Sequence, residues 1–160
     1  MTEPPAAVAA SPVVRPSFLA LRDRPEAIHR LRTFVGAAVF GLPYAVDEIE
    51  LVAGEIVTNA IRAVRTLGRL PKDVWPIGIE MTATPRYVHL AVTDLDHRPI
   101  AARDAGGLLA EQGRGLHIVD HLAVARWITY AEHGKTVHVV IAAPGITLAP
   151  AELQRIREAR

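Results

Sequence analysis

The sequence contains no cysteine, so disulfides, thiolate metal sites and cysteine nucleophiles are excluded together. Aromatic side chains are scarce as well: Phe, Trp and Tyr make up 5% of the 160 residues, although half of the chain is hydrophobic. The core must therefore be assembled from Val, Ile, Leu and Ala rather than from large rings. Neither sign of charge dominates. Lys and Arg number 18 against 17 Asp and Glu, a formal charge of +1, which gives no electrostatic reason to expect direct nucleic-acid contact or an anionic membrane as partner. No apolar run approaches the ~20 residues that a membrane-spanning helix needs. Prolines interrupt MTEPPAAVAASPVVRP, which lacks the basic start and continuous apolar stretch of a signal peptide. Together these absences lead to the expectation of a soluble, cytoplasmic protein.

What is present fits one domain with a real core. Residues 1–15, rich in Pro and Ala, read as a flexible tail, residues 16–145 as the domain, and residues 146–160 as a polar extension. Within that extension AELQRIREAR is expected to be a frayed or partner-dependent helix. Asp23 and Glu26 have capping-box spacing, Pro25 suits a first turn, and Ile28, Leu31, Val35 and Ala38 recur at helical intervals until Gly41-Leu42-Pro43. A longer helix is predicted over about 44–67, with Val46, Ile49, Ala53, Val57, Ala60 and Val64 on its buried face. Alternation at Ile77, Ile79 and Met81, and again at Val88, Leu90 and Val92, gives two strands around Thr84-Pro85-Arg86. From Asp94 to Gly113 regular pattern is lost. A short helix over about 115–122 and strands over 125–131 and 135–142 complete the domain. The order α-α-β-β-loop-α-β-β implies an α+β two-layer sandwich, with helices packed on one face of a mainly antiparallel sheet.

Three features carry chemistry. Glu55 and Asn59 lie four apart in the apolar helical run LVAGEIVTNAIRAV, so they share one face a turn apart. An Asn carbonyl oxygen suits Mg²⁺, which binds through few protein groups plus phosphates and water, and a Glu beside it can serve as a base. The same pair also fits the polar edge of an ordinary amphipathic helix. Gly113-Arg114-Gly115-Leu116 follows the irregular loop; glycines let backbone amides approach an anion, and Arg114 offers a charge-assisted contact to phosphate. A flexible hinge would look the same. Asp94 ends an apolar strand, where its carboxylate can accept from an exocyclic amine or simply close a turn. His117 and His121 sit at i, i+4, but the glutamate of H-E-x-x-H is missing and no third ligand is apparent. They read as a solvated helix face, and His29, His89 and His133 are read as solvated too.

In order, the E-x-x-x-N-A helix, the strand ending in Asp94, the G-x-G-L segment and the late Gly134-Lys135-Thr136 resemble the GHKL ATPase superfamily, which includes the ATP-binding domains of gyrase and histidine kinases. The nearest likeness is to its single-domain anti-sigma-factor serine kinases of the RsbW and SpoIIAB type. LVAGEIVTNAIRAV is similar to the N box, and GRGLHIVDHLA to the second glycine box. The resemblance covers residues 21–141 and implies a Bergerat-type fold that takes ATP and Mg²⁺. It implies that Asn59 binds Mg²⁺ and that Glu55 acts as base. Asp94 would read adenine, Gly113, Arg114, Gly115 and Leu116 would form the phosphate lid, and Thr136 would support the adenine contact through water. The implied partners are a sigma factor or a STAS-domain anti-anti-sigma protein, with a homodimer as a family expectation. The implied enzyme is a protein serine/threonine kinase. Two departures point to a catalytically degenerate interaction module instead. The D-x-G-x-G box appears as Asp94-Leu95-Asp96-His97-Arg98, without either glycine, and Ala63 stands where kinase members often carry histidine.

Overall fold

The computed structural model describes residues 14–98 and 109–159. Along the chain run β1 (Arg15–Leu21), α1 (Ala27–Val39), α2 (Val46–Arg65), β2 (Ile77–Ala83), β3 (Tyr87–Asp94), α3 (Leu109–Leu122), β4 (Ala125–Ala131), β5 (Gly134–Ala142) and α4 (Pro150–Glu158). The strands form one five-stranded sheet in the order β1-β2-β3-β5-β4, antiparallel at every pairing. This is the α+β architecture that the sequence implied.

Strand alternation divides the sheet into two faces. Ile77, Ile79 and Met81 of β2, Val88, Leu90 and Val92 of β3, and Val137, Val139 and Ile141 of β5 point towards α1 and α2. There they meet Leu31 and Val35 of α1 and Ile49, Val52, Ala53, Ile56, Val57, Ala60 and Val64 of α2, all buried. Val46, expected on that face, is instead exposed at the first turn of α2.

Four local expectations change. β1 was not legible: RPSFLAL has a single Leu19–Leu21 alternation, and it becomes a strand by pairing in register with β2, Leu19 opposite Ile79 and Leu21 opposite Ile77. The capping box does not form. Glu26 caps α1 without a side-chain bond, while both carboxylate oxygens of Asp23 accept from Arg65 at 2.7 Å, tying the start of α1 to the end of α2. The polar extension is not frayed within this chain. As α4 it covers the sheet's other face, where Ile156 and Leu148 pack on Val140 and the Arg86 guanidinium holds Glu152 at 2.9 Å. On that face His89, Trp127 and His138 stack, Trp127 and His138 with ring centroids 4.8 Å apart, and Arg157 of α4 lies over the Trp127 ring. His89 is therefore buried, not solvated. His29, His117, His121 and His133 are exposed as expected.

Candidate functional site

The site is built on α2 because that helix is two-sided. Its apolar positions sink into the sheet, which leaves Glu55, Thr58 and Asn59 half-buried along one flank. α3 closes against this flank at Gly115, which is buried. A Cβ at that position would overlap the Glu55 carboxylate and lie 3.1 Å from its Cδ, so the glycine is what lets the α3 backbone reach Glu55.

Gly113, Arg114 and Gly115 lie inside α3, not in a loop ahead of it. The helix starts early because Leu109, Ala110, Glu111 and Gln112 are good helix formers, and two glycines do not offset them. The side chain of Arg114 falls outside the described ones, and residues 99–108 of the segment expected to lack regular pattern lie outside the described residues. Leu116 is half-buried beside Gly115.

One turn beyond Glu55, no hydrogen bond among the described residues engages the Asn59 carboxamide. No cluster of three or more His, Cys, Asp or Glu side chains converges among the described residues, so no all-protein metal cage is seen there. Mg²⁺ does not need one, since it takes one or two protein oxygens together with phosphates and water. An uncommitted carboxamide oxygen next to a carboxylate fits that requirement.

Asp94 is also where the sequence placed it, at the end of β3, but it is already engaged. Its Oδ1 accepts from the Asp96 backbone N–H at 2.7 Å and from Lys135 Nζ at 3.0 Å. Lys135 donates as well to the Asp96 carbonyl at 2.8 Å, and Asp94, Asp96 and Lys135 are all buried. Asp94 and Lys135 are direct cross-strand partners. Gly134, just before Lys135, has no Cβ to strike the Asp94 carbonyl oxygen, which permits the close approach. Burial pushes the Asp94 carboxyl above its ordinary value, with the Lys135 hydrogen bond opposing.

The loop after Asp94 lacks the two glycines of the resemblance and is shaped by carboxylates in their place. Asp94 turns back to the Asp96 N–H, and Asp96 Oδ1 accepts from the Arg98 N–H at 3.1 Å, two side-chain turns in succession. The Arg98 guanidinium grips both Asp96 oxygens, at 2.6 and 2.8 Å, and reaches Thr66 at the end of α2. The Arg98 hydrogen bonds hold the Asp96 carboxyl down to about 2.

Thr136 is not brought together with these groups. Neighbouring residues of a strand point to opposite faces, so when Lys135 faces Asp94, Thr136 faces away; its hydroxyl pairs with Thr93 at 2.8 Å on the other side of the sheet. The residue of this segment that faces Asp94 is Lys135. Lys135, Asp96 and Arg98 are the residues that motif reading missed. The available signal was the D-x-D-x-R spacing and a lysine near the start of a largely apolar strand.

The family model of the histidine kinase-like ATPase domain matches residues 21–141. The chain belongs to this family. No curated protein is similar enough to the chain to count as a match. The matched span takes in every site residue above, whereas α4 lies beyond it. Membership makes ATP the ligand against which this flank of α2 has to be judged. Among the described residues no helix is long and apolar enough to cross a membrane.

Proposed function

We propose that the domain binds Mg-ATP and controls a sigma factor or its STAS-domain anti-anti-sigma antagonist, by transferring the γ-phosphate to a serine of the antagonist. The observation that carries this reading is the seating of Gly115 against Glu55, with the uncommitted Asn59 carboxamide one turn away. The partner assignment is supported only by the likeness of LVAGEIVTNAIRAV and GRGLHIVDHLA to the small serine-kinase branch.

Phosphoryl transfer needs positioning and charge neutralisation more than covalent assistance from the protein. Glu55 would accept the serine proton as the new O–P bond forms and the β–γ bridge breaks, the electron pair leaving with ADP. Asn59 would hold the magnesium ion, which supplies neutralisation of the phosphates when bound. A groove of about 410 Å³ between α1 and α2, bordered by Leu31 and Arg32 on one side and by Leu51, Gly54 and Thr58 on the other, reaches Glu55 and gives an acceptor side chain a way in.

Incubation with labelled ATP, Mg²⁺ and a candidate STAS protein tests this. Label on the antagonist, lost in Glu55→Gln, is the expected result; bound nucleotide with no label rejects the kinase.

The occupied state of Asp94 favours a second reading, an interaction module with weak or no turnover. If neither the wild type nor Asn59→Ala binds ATP at millimolar concentration, only that role survives.

A further inference from the structure

We propose that Lys135 is a specificity-determining residue for the base: its ammonium competes with an adenine amine for the Asp94 carboxylate, so that affinity comes from the triphosphate and purine bases are poorly discriminated. This rests on the reading of the domain as nucleotide-binding.

Asp94 Oδ1 already accepts two hydrogen bonds, one of them from a cation at 3.0 Å. An ionised donor forms a stronger hydrogen bond than a neutral one, so the neutral amine of adenine is at a disadvantage against Lys135. Lys135 is not a mobile surface group that would step aside. It is buried, fixed by the Asp94–Lys135 register, and held a second time by the Asp96 carbonyl at 2.8 Å. The strand leaves it no other course, because Gly134 brings the backbone of β5 against Asp94.

An ammonium has three donors; two make hydrogen bonds here, and the third has Asp96 Oδ2 at 3.9 Å, too far for a hydrogen bond. The third can meet a carbonyl oxygen. Guanine presents a carbonyl where adenine presents its amine, so the pair Asp94–Lys135 weakens the contact that would select adenine and offers one that tolerates guanine.

The test is calorimetric titration of Mg-ATP and Mg-GTP into the full chain, as wild type, Lys135→Thr and Lys135→Gln. Thr keeps β-propensity and removes the cation; Gln keeps length and a neutral donor, and serves if the first variant fails to fold. The wild type is expected to bind the two nucleotides with affinities within about threefold, and Lys135→Thr to bind ATP about tenfold tighter with GTP nearly unchanged. Lys135→Gln should move in the same direction by less. A wild type that already prefers ATP by about tenfold, or folded variants that bind ATP no tighter, overturns the role of Lys135 while leaving nucleotide binding intact. Absence of binding by every folded protein overturns the nucleotide reading itself, and the proposal with it.

Discussion

The backbone of Gly115 lies against the carboxylate of Glu55, closely enough that no side chain fits between them. The atom that an added Cβ would strike is the far end of a flexible side chain, so Glu55 can swing aside at small cost. Gly115→Ala should therefore fold as well as the wild type or better, since Ala exceeds Gly in helix interiors by roughly 0.5–1 kcal/mol. On the proposed role of Glu55 as base, displacing it by about 1 Å is enough to cost a hundredfold in rate. Unchanged melting with lost phosphoryl transfer is the expected pair of results; unchanged transfer would show that Glu55 does not need its present position.

Asn59 gives the opposite kind of test. It is half-buried and bonded to none of the described side chains, so Asn59→Ala should alter stability by no more than about 0.5 kcal/mol. Mg-ATP affinity, followed by calorimetry, should fall at least about tenfold through loss of an oxygen ligand. Equal affinities would remove Asn59 from the site.

Asp96 predicts a limb of acid instability. Its folded value, about 2 against an ordinary 3.8, is depressed. Stability from a depressed carboxyl is present above the unfolded value and lost as pH falls through the folded one, here from near 4 to 2, and amounts to about 2 kcal/mol. Asp94, raised by burial, works in the other direction. Urea midpoints across this range should fall more steeply for the wild type than for Asp96→Asn; parallel curves would dismiss the Asp96–Arg98 contact as a source of stability.

Tyr44 predicts an alkaline limb. Its hydroxyl donates to the Thr84 carbonyl at 2.5 Å, and burial pushes it up to about 12. A raised phenol stabilises the fold below the unfolded value near 10 and loses that contribution as pH rises towards 12. Among the three tyrosines, absorbance titration near 295 nm should show one late ionisation that is missing in Tyr44→Phe, which should also lose about 1 kcal/mol of stability.

The helix α4 predicts a packing effect remote from the site. Ile156 is buried on Val140 and Leu148, so Ile156→Ala should cost about 2–4 kcal/mol. Trp127, held under Arg157, should become more accessible to a soluble quencher. A variant that melts like the wild type would show that α4 contributes nothing to stability.

Much of this was legible in the sequence, for reasons that differ by element. α2, β2 and β3 could be read because their apolar residues repeat at one clear period, and the shared flank of Glu55 and Asn59 could be read because both sit on one such helix. β1 could not, because its strand character depends on pairing with β2 rather than on its own pattern. α4 looked unstable because its few apolar residues, Ile156 and Leu153, have value only when a sheet face is offered to them. The engagement of Asp94 was hidden for a related reason. Asp94 and Lys135 are 41 residues apart, and only the register of β3 with β5 makes them neighbours. Motif order suggested the threonine of Gly134-Lys135-Thr136; the two-residue repeat of the strand selects the lysine.

Two contacts made by α2 lie far apart on it. Glu55 meets Gly115, and Thr66, eleven residues on, meets Arg98 from the loop that follows Asp94. At 1.5 Å per residue they are about 16 Å apart along the axis. The helix therefore acts as a rigid gauge: it holds the backbone of α3 at Gly115 and the loop after Asp94 at a fixed separation, so neither can shift along it without the other losing its contact.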